Sequence, residues 1–329
     1  MRVAVDVSPL AQTRAGTARY LRGLLRGLAE RPDVDVNQLA FGGSGRLTAV
    51  ARDLGWYLAA LPRRAARAGD DVLHCPSFRG PTRSAVPLVV TVHDLAVLRR
   101  PETFNRWTRA YSRRFVPRVV RAARVVIADS EFTRRELVEL VGVRKERIRV
   151  VPLAADASFA PEGERAGGDY VLSVATLEPR KNLARAVDAA RRVGVELRVV
   201  GARGWGGISV DGAGVSWLGE VTDDELARLY RGALCLAYPS VYEGFGLPVV
   251  EAMACGTPVV TAAGGATEEL AAGAAVLVDA LDPSSIAAGI EEAAARRGEL
   301  RRLGLERAKR YSWELTVDAT VAAYREAAE

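Results

Sequence analysis

Short apolar runs alternate with amphipathic helical patterns along this chain, and no other feature constrains its fold as strongly. The runs are apolar on both faces, as in parallel strands that helices cover on both sides. Helical patterns such as TRRELVELVG (133–142) supply the crossovers between them. Strands are predicted at RVAVDV (2–7), DVLHC (71–75), PLVVTVHD (87–94), RVVIAD (124–129), IRVVPL (148–153), YVLSVA (170–175), ELRVVG (196–201), VSWLG (215–219), LCLAYP (234–239), TPVVTA (257–262) and AAVLV (274–278).

The strand pattern divides into two series. One sheet of eleven strands would be exceptional, and ADASFAPEGERAGGD (155–169) is a loop-like break between the series. We therefore predict an α/β protein of two Rossmann-like doubly wound domains with parallel sheets, residues 1–154 and 155–310. Ligands of such sheets bind beyond the carboxyl ends of the strands, so the active site is expected in a cleft between the domains.

Charge is distributed unevenly. Residues 1–150 hold 28 basic and 14 acidic side chains, although the whole chain has a net charge of only +6. The densest stretch, RRPETFNRWTRAYSRRFVPRVVRAAR (99–124), contains nine arginines. It is either a solvated helix face or a landing surface for anionic lipid or a phosphorylated acceptor. Few aromatic residues interleave the arginines and no nucleic-acid reader motif occurs, which disfavours nucleic acid.

The remaining composition favours a cytoplasmic enzyme, with peripheral contact at the inner membrane face as a further expectation. No apolar run reaches the roughly 18 residues that span a bilayer. The three cysteines lie far apart in apolar settings, as reduced core residues do. No GxGxxG follows the first strand, so a nicotinamide-dependent enzyme is poorly supported.

The stretch AYPSVYEGFGLPVVEAMACGTPVV (237–260) places two glutamates around a predicted helix start. Pro248 suits the first helical position, so the preceding backbone N–H groups would face outward and form an anion site. Glu243 and Glu251 are poor phosphate ligands but good acceptors for sugar hydroxyls. The stretch therefore fits a nucleotide sugar; the alternative is an ordinary capped helix with solvated acids.

The same stretch resembles the E-x7-E motif of the retaining GT-B glycosyltransferases of family four. The resemblance covers almost the whole chain and is closest to mannosyltransferase-like members that handle polysaccharide or glycolipid precursors. It implies two domains facing across a cleft, with residues 311–329 forming a terminal helix that packs back on the first domain. The supporting segments are GTARY (16–20), VTVHDL (90–95), ADSEFTRREL (128–137), RIRVVPLAAD (147–156), LEPRKNL (177–183), LGEVTDDELARLYRGA (218–233) and EGFGLPVVE (243–251).

The resemblance assigns the donor-binding residues. Glu243 would contact the sugar hydroxyls near the reacting face, and Glu251 would contact the ribose. Lys181, helped by Arg180, would neutralise the diphosphate. The sugar and the distal phosphate would be held by the backbone of Gly244, Phe245, Gly246 and Leu247.

Other positions have weaker or mixed support. Gly16 would let an amino-terminal loop close over the donor, with Thr17 as the helix cap. Thr176 stands in the donor site where many relatives have an arginine, and Arg180 is expected to substitute. His93 would lie by the acceptor and the transferred sugar; the alternative is a structural histidine, with Asp94 bracing the loop.

Two further observations bear on the chemistry. Only three of the 46 basic residues are lysines, so a lysine in EPRKN, after a strand and at a helix start, is unusual for this chain. Asp33 and Asp35 resemble a metal-binding DxD pair, but they lie at the end of the sheet where ligands are not expected. We therefore predict no metal and no cofactor.

The predicted function is retaining transfer of a hexose from a nucleotide diphosphate sugar to a hydroxyl of a glycan, glycolipid or other acceptor, including lipid-linked or anionic acceptors. GDP-mannose is the first donor candidate by resemblance, followed by UDP-hexose and dTDP-rhamnose. Alternatives are a nucleotide-sugar epimerase or hydrolase of the same fold, a glycan phosphorylase, and a non-catalytic sugar-nucleotide-binding subunit.

Overall fold

The computed structural model describes residues 1–12, 16–42, 48, 50–204 and 212–329. The chain divides into two compact units, Met1–Leu153 with Trp313–Glu329, and Ala154–Ser312. Each unit contains a parallel sheet of six strands. The strands are β1 Arg2–Asp6, β2 Asp35–Leu39, β3 Val72–Cys75, β4 Leu88–Val92, β5 Val125–Ala128, β6 Ile148–Val150, β7 Tyr170–Val174, β8 Glu196–Val200, β9 Val215–Gly219, β10 Cys235–Tyr238, β11 Val259–Ala262 and β12 Val276–Val278.

Helices connect most successive strands, as parallel crossovers require. π-Helical turns at Ala51–Ala60 and Leu137–Val141 adjoin two of these helices, and a 3-10 turn at Pro179–Lys181 precedes another. No helix among the described residues is long and apolar enough to cross a membrane. The α-helices are α1 Gly16–Ala29, α2 Leu61–Ala68, α3 Ala96–Arg99, α4 Arg106–Ala122, α5 Glu131–Glu136, α6 Leu183–Val193, α7 Asp223–Gly232, α8 Leu247–Ala254, α9 Ala266–Ala271, α10 Pro283–Ala295, α11 Arg297–Ala308 and α12 Trp313–Ala328.

The first sheet has the order β2-β1-β3-β4-β5-β6. All eleven predicted strands are present, but the prediction omitted β2, whose sequence DVNQL has no continuous apolar run. The strand lies at the sheet edge and pairs only with β1, so its side chains are partly or fully exposed. Asp35 opens β2 at the amino end of the strand, and Asp33 is ion-paired with Arg31.

The terminal helix α12 belongs to the first unit. Two glycines of α1 make close contact with it: a Cβ at Gly23 would lie within van der Waals distance of Trp313, and one at Gly27 would meet Val317 at 2.5 Å. The buried Tyr324 of α12 forms a 2.7 Å hydrogen bond with Nδ1 of His74 in β3. The helix therefore completes the core of this unit.

The second sheet has the order β12-β11-β10-β7-β8-β9, which is the doubly wound Rossmann order. Its core is built from apolar residues of the strands, packed against α6 and α10. The direction in which successive strands are added reverses between β7 and β10, which pair in register at Val171 and Cys235. Ligands of such sheets bind where the strand order reverses, beyond the carboxyl ends of the strands.

Candidate functional site

The loops that follow β7 and β10 run beside one another at the reversal point of the second sheet. Two hydrogen bonds tie them together: the Val241 amide donates to the Arg180 carbonyl at 2.9 Å, and Asn182 Nδ2 donates to the Pro239 carbonyl at 2.9 Å. Asn182 adopts a left-handed conformation with φ of 60°, which asparagine tolerates better than most residues. The turn at Pro179–Lys181 thus presents its two cations to the second loop.

Lys181, Arg180 and Glu243 form one buried charge cluster in these loops. Lys181 Nζ donates to Glu243 Oε1 at 2.6 Å, and Arg180 Nη1 donates to Glu243 Oε2 at 3.1 Å. Arg180 Nε also donates to Glu178 Oε2 at 2.9 Å. The Tyr238 hydroxyl accepts from Lys181 at 2.9 Å and donates to Glu243 Oε1 at 2.8 Å. Three of the predicted catalytic residues are therefore in direct contact.

Burial and charge act against each other in this cluster. Burial alone would raise the pKa of Glu243, but Lys181 and Arg180 outweigh it and lower that pKa to about 2. Burial lowers the pKa of Lys181 while Glu243 opposes the shift. Burial raises the pKa of Tyr238 well above its ordinary value, and Glu243 reinforces this. At neutral pH the cluster therefore holds a carboxylate and a neutral phenol.

Helix α8 begins at Leu247 and ends at Ala254, so Pro248 lies in its first turn and the helix starts one residue before the predicted first helical position. Gly246 precedes it with φ of 109°, and a Cβ there would lie 2.9 Å from Thr267. That conformation and contact require a glycine, independently of any ligand. Phe245 is buried edge-on against Tyr311, with ring centroids 5.8 Å apart.

Glu251 is in the interior of the second unit. Its side chain is only 2% exposed and accepts a 3.1 Å hydrogen bond from the Tyr230 hydroxyl. The alternative of a solvated acid is therefore wrong for this residue. Gly244 directly precedes Phe245 and Gly246 in the loop before α8, and it is buried.

The remaining donor-binding candidates lie in different places. Thr176 follows β7, and its methyl group would be 2.9 Å from a Cβ at Gly204, so it packs against the chain that follows β8. Gly16 is the first residue of α1, is exposed, and has open space where a Cβ would lie. Thr17 is within the first turn of α1 and is not its cap, because the helix already includes Gly16, two residues before the first helical position that a cap at Thr17 implies. Residues 13–15, in the loop before it, are outside the described residues.

His93 follows β4 in the first unit, and both its ring nitrogens have partners. Nδ1 pairs with Asp129 Oδ2 at 2.7 Å, and Nε2 donates to the Pro76 carbonyl at 3.1 Å. Burial disfavours the charged ring, but Asp129 outweighs this and raises the pKa of His93. Asp94 accepts a bond from the Ala96 amide and so braces the loop, as expected.

The other histidine, His74, lies inside β3. It is fully buried between Thr91 Oγ1 at 2.8 Å and the Tyr324 hydroxyl. Burial lowers its pKa to about 3, so the ring is neutral. Its environment is that of a core residue.

Three residues of these clusters were missed by sequence reasoning: Tyr238, Glu178 and Asp129. Tyr238 and Asp129 each lie at the carboxyl end of a predicted strand, where polar side chains approach ligands. Asp129 is the last residue of RVVIAD and His93 is the next to last of PLVVTVHD, and β4 and β5 are neighbours. That shared position was the available signal. Glu178 carried no such signal, because its role depends on Arg180.

Comparisons with known proteins agree with this architecture. A family model described as glycosyl transferases group 1 matches residues 155–310, and one described as glycosyltransferase family 4 matches residues 14–159. Sucrose-phosphate synthase from Thermosynechococcus elongatus superposes with a TM-score of 0.79 at 20% identity, covering 99% of this chain and 98% of that one. WaaG, a glycosyltransferase involved in lipopolysaccharide biosynthesis, gives 0.69 at 14% identity over 98% of each chain.

These matches define the class: the fold is GT-B and the protein is a glycosyltransferase. The chain belongs to the group 1 glycosyl transferases, with the family 4 model covering its first part. Its relatives include the O-antigen chain mannosyltransferase B of Escherichia coli, 28% identical over 99% of this chain and 100% of that protein.

Two actinobacterial relatives share a higher identity. The MMP alpha-(1->4)-mannosyltransferase of Mycolicibacterium hassiacum is 30% identical over 80% of this chain and 72% of that protein. The D-inositol 3-phosphate glycosyltransferase of Geodermatophilus obscurus is 34% identical over 75% of this chain, which spans 63% of that protein. The relatives therefore carry the names of different glycosyltransferases, and family membership alone does not select one of these activities.

Proposed function

We propose that this protein transfers a hexose, with mannose as the first candidate, from a nucleotide diphosphate sugar to an acceptor hydroxyl with retention of the anomeric configuration. The supporting observation is the cluster of Lys181, Arg180 and Glu243 where the order of the second sheet reverses. Two cations suit a diphosphate, and a carboxylate suits sugar hydroxyls. Mannosyltransferases among the relatives favour mannose.

The chemistry requires stabilisation of negative charge on the departing diphosphate. Backbone and side-chain bonds between the two loops fix the turn that carries Lys181 and Arg180, so both cations lie at the site before the donor binds. Glu243 is ionised and would accept hydrogen bonds from hydroxyls of the sugar. The backbone of residues 244–247 and Glu251 would complete the donor site, with Thr176 beside it. In this proposal the two cations perform the neutralisation, and no metal is required.

The first unit would supply the acceptor side. His93, whose ring is held between Asp129 and the Pro76 carbonyl, would lie beside the acceptor and the transferred sugar at the carboxyl end of β4. Gly16, whose Cβ position is open, would allow the start of α1 to approach the donor. The leaving phosphate would take the acceptor proton on the face where the new bond forms, which gives retention without a covalent enzyme intermediate.

A ligand screen tests the proposal. GDP, UDP, dTDP and their sugars are titrated while the melting temperature is followed, because a ligand at a hundred times its dissociation constant adds about 2.7 kcal/mol. We expect one nucleotide series to stabilise the protein and Lys181→Ala to abolish the effect. The transfer product is then assayed by NMR for its anomeric configuration, with and without EDTA.

Other outcomes favour the alternatives. Rapid donor turnover without any acceptor would indicate a hydrolase or epimerase. Tight donor binding with no turnover toward mannosides, inositol phosphates or lipid-linked glycans would favour a binding subunit. Failure of every nucleotide to bind would overturn the proposed donor class.

We further propose peripheral contact with an anionic membrane, which would present a lipid-linked acceptor. Helix α4 has no acidic residue, and Trp107 at its start is 43% exposed. Exposed cations beside an aromatic side chain are typical of interfacial helices. The exposed arginines of this helix are Arg106, Arg109, Arg113, Arg114, Arg118 and Arg121.

Vesicle sedimentation tests this contact. The protein should bind phosphatidylglycerol vesicles and should dissociate from them in about 0.5 M salt, because charges on exposed side chains are screened at that ionic strength. Arg109→Glu with Arg113→Glu should abolish binding. Arg191→Glu with Arg192→Glu, an exposed pair in the second unit, is the matched control. Equal binding to neutral phosphatidylcholine vesicles would contradict the proposal.

A further inference from the structure

Both cations of the candidate donor site are already engaged by carboxylates. Lys181 pairs with Glu243, and Arg180 is shared between Glu243 and Glu178. All four side chains are at most 14% exposed, so water screens these pairs only weakly. The cluster contains two positive and two negative charges and is neutral as a whole. A diphosphate approaching it therefore meets no net positive charge.

We propose that Glu243 competes with the diphosphate for Lys181 and Arg180, so that the site selects against a nucleoside diphosphate that carries no sugar. This inference rests on the proposed function of the same site. A diphosphate that takes both cations competes with Glu243 for their N–H donors. Once those contacts are lost, Glu243 would keep the Tyr238 hydroxyl as a donor but would be a buried carboxylate without a cation, and that state is unfavourable.

A sugar provides what Glu243 loses. Hydroxyls of the transferred sugar would donate hydrogen bonds to the carboxylate as the cations turn to the phosphates, so every charged group keeps a partner. A nucleoside diphosphate without a sugar has no such hydroxyls at that position. The site would therefore bind the intact donor in preference to the nucleotide product, and product release would be assisted by the return of Glu243 to its cations.

Other groups in contact with the cluster support this exchange. The Tyr238 hydroxyl bonds to both Lys181 and Glu243, so it can remain bonded to either when they separate. The Tyr242 carbonyl accepts from Arg180 Nη1 at 3.3 Å, which fixes the guanidinium beside the second loop. Glu178 forms an ion pair with Arg180 and remains as a second, weaker competitor.

Isothermal titration of GDP, UDP and dTDP, and of GDP-mannose, UDP-glucose and dTDP-rhamnose, tests the proposal. Glu243→Gln keeps the shape of the side chain and removes its charge. We expect this variant to bind the preferred nucleoside diphosphate about tenfold more tightly than wild type, a difference of about 1.4 kcal/mol. Affinity for the corresponding sugar nucleotide should not increase, so the preference for the intact donor should collapse.

Two further variants complete the experiment. Glu178→Gln should tighten nucleoside diphosphate binding about threefold, because only Arg180 is released, and it provides the decisive measurement if Glu243→Gln fails to fold. Glu196→Gln is the matched control. It removes the same charge from an ion pair with Arg198 in the same unit and should leave the affinity for the nucleoside diphosphate unchanged.

The outcomes separate two failures. If wild type binds none of the nucleotides, the proposed function is wrong and this inference is lost with it. If wild type binds them, but Glu243→Gln and Glu178→Gln bind the nucleoside diphosphate no more tightly than wild type, the proposed function stands and the competition is refuted.

Discussion

Tyr238 offers the sharpest test of how the charge cluster is held. Its hydroxyl is a single atom that accepts from Lys181 at 2.9 Å and donates to Glu243 at 2.8 Å. Tyr238→Phe removes both hydrogen bonds while keeping the ring, which is buried. Hydrogen bonds to charged groups contribute about 1.5–3 kcal/mol each. Because Lys181 and Glu243 still pair with each other, we expect a net loss of about 2 kcal/mol.

The matched control is Tyr170→Phe in the same unit. Tyr170 is also buried, and its hydroxyl donates to the Leu229 carbonyl at 2.6 Å. Its loss should cost about 1 kcal/mol. For a domain of this size each kcal/mol lowers the melting temperature by about 2–4 °C, so the expected shifts are about 4–8 °C and 2–4 °C.

Kinetics and ligand binding separate positioning from simple stability. With Lys181 less firmly oriented, kcat of Tyr238→Phe should fall about tenfold, equivalent to about 1.4 kcal/mol in the barrier. The rise in melting temperature that a saturating nucleoside diphosphate produces in Tyr238→Phe should also differ from the rise in wild type. Tyr170→Phe should lower stability without altering either quantity. If Tyr238→Phe matched wild type in kcat and melting temperature, or if Tyr170→Phe reproduced its kinetic defect, Tyr238 would have no positioning role.

Two further predictions concern stability. The pKa of Glu243 is about 2 against an ordinary 4.5, so its ion pairs stabilise the fold fully above pH 4.5 and are lost as the pH falls toward 2. The shift corresponds to about 3 kcal/mol of unfolding free energy. The unfolding free energy of Glu243→Gln in urea should therefore depend less on pH between these values than that of wild type. An unchanged pH dependence would contradict the assignment. Gly201→Ala would make a Cβ overlap the Ala175 carbonyl at a φ of 147° and should destabilise by about 3 kcal/mol in urea unfolding. Gly194→Ala, left-handed but with open space, should cost only about 1 kcal/mol; equal losses would count against the steric explanation.

The fold was largely readable because buried parallel strands have a local signature. Every predicted strand is present, because an apolar run between turn residues predicts a buried strand without any knowledge of which strands pair with it. β2 was missed for the complementary reason. As an edge strand it pairs only with β1, so its residues DVNQL need not be apolar on both faces.

The candidate site was predicted as a set of residues but not as a set of contacts. Glu243, Lys181 and Arg180 were all proposed as ligands of a donor, and the structure also shows them bonded to one another. Glu251 carried the same chemical signal as Glu243, yet it is buried against Tyr230. Glu243 lies in the loop before α8 and Glu251 lies within that helix, and the environment of Glu251 depends on Tyr230, a residue 21 positions earlier in the chain.

The sequence by itself determined the alternation of strands and helices, the start of α8 at its glycine and proline turn, and the unusual lysine after β7. Only the tertiary structure decided that the loops after β7 and β10 are neighbours, which brings Lys181 to Glu243 across 62 residues. It likewise joined Tyr324 to His74 across 250 residues. The physical reason is that apolar periodicity specifies which residues are buried, whereas the order of strands in a parallel sheet depends on how the crossovers pack, and that information is spread over the whole chain.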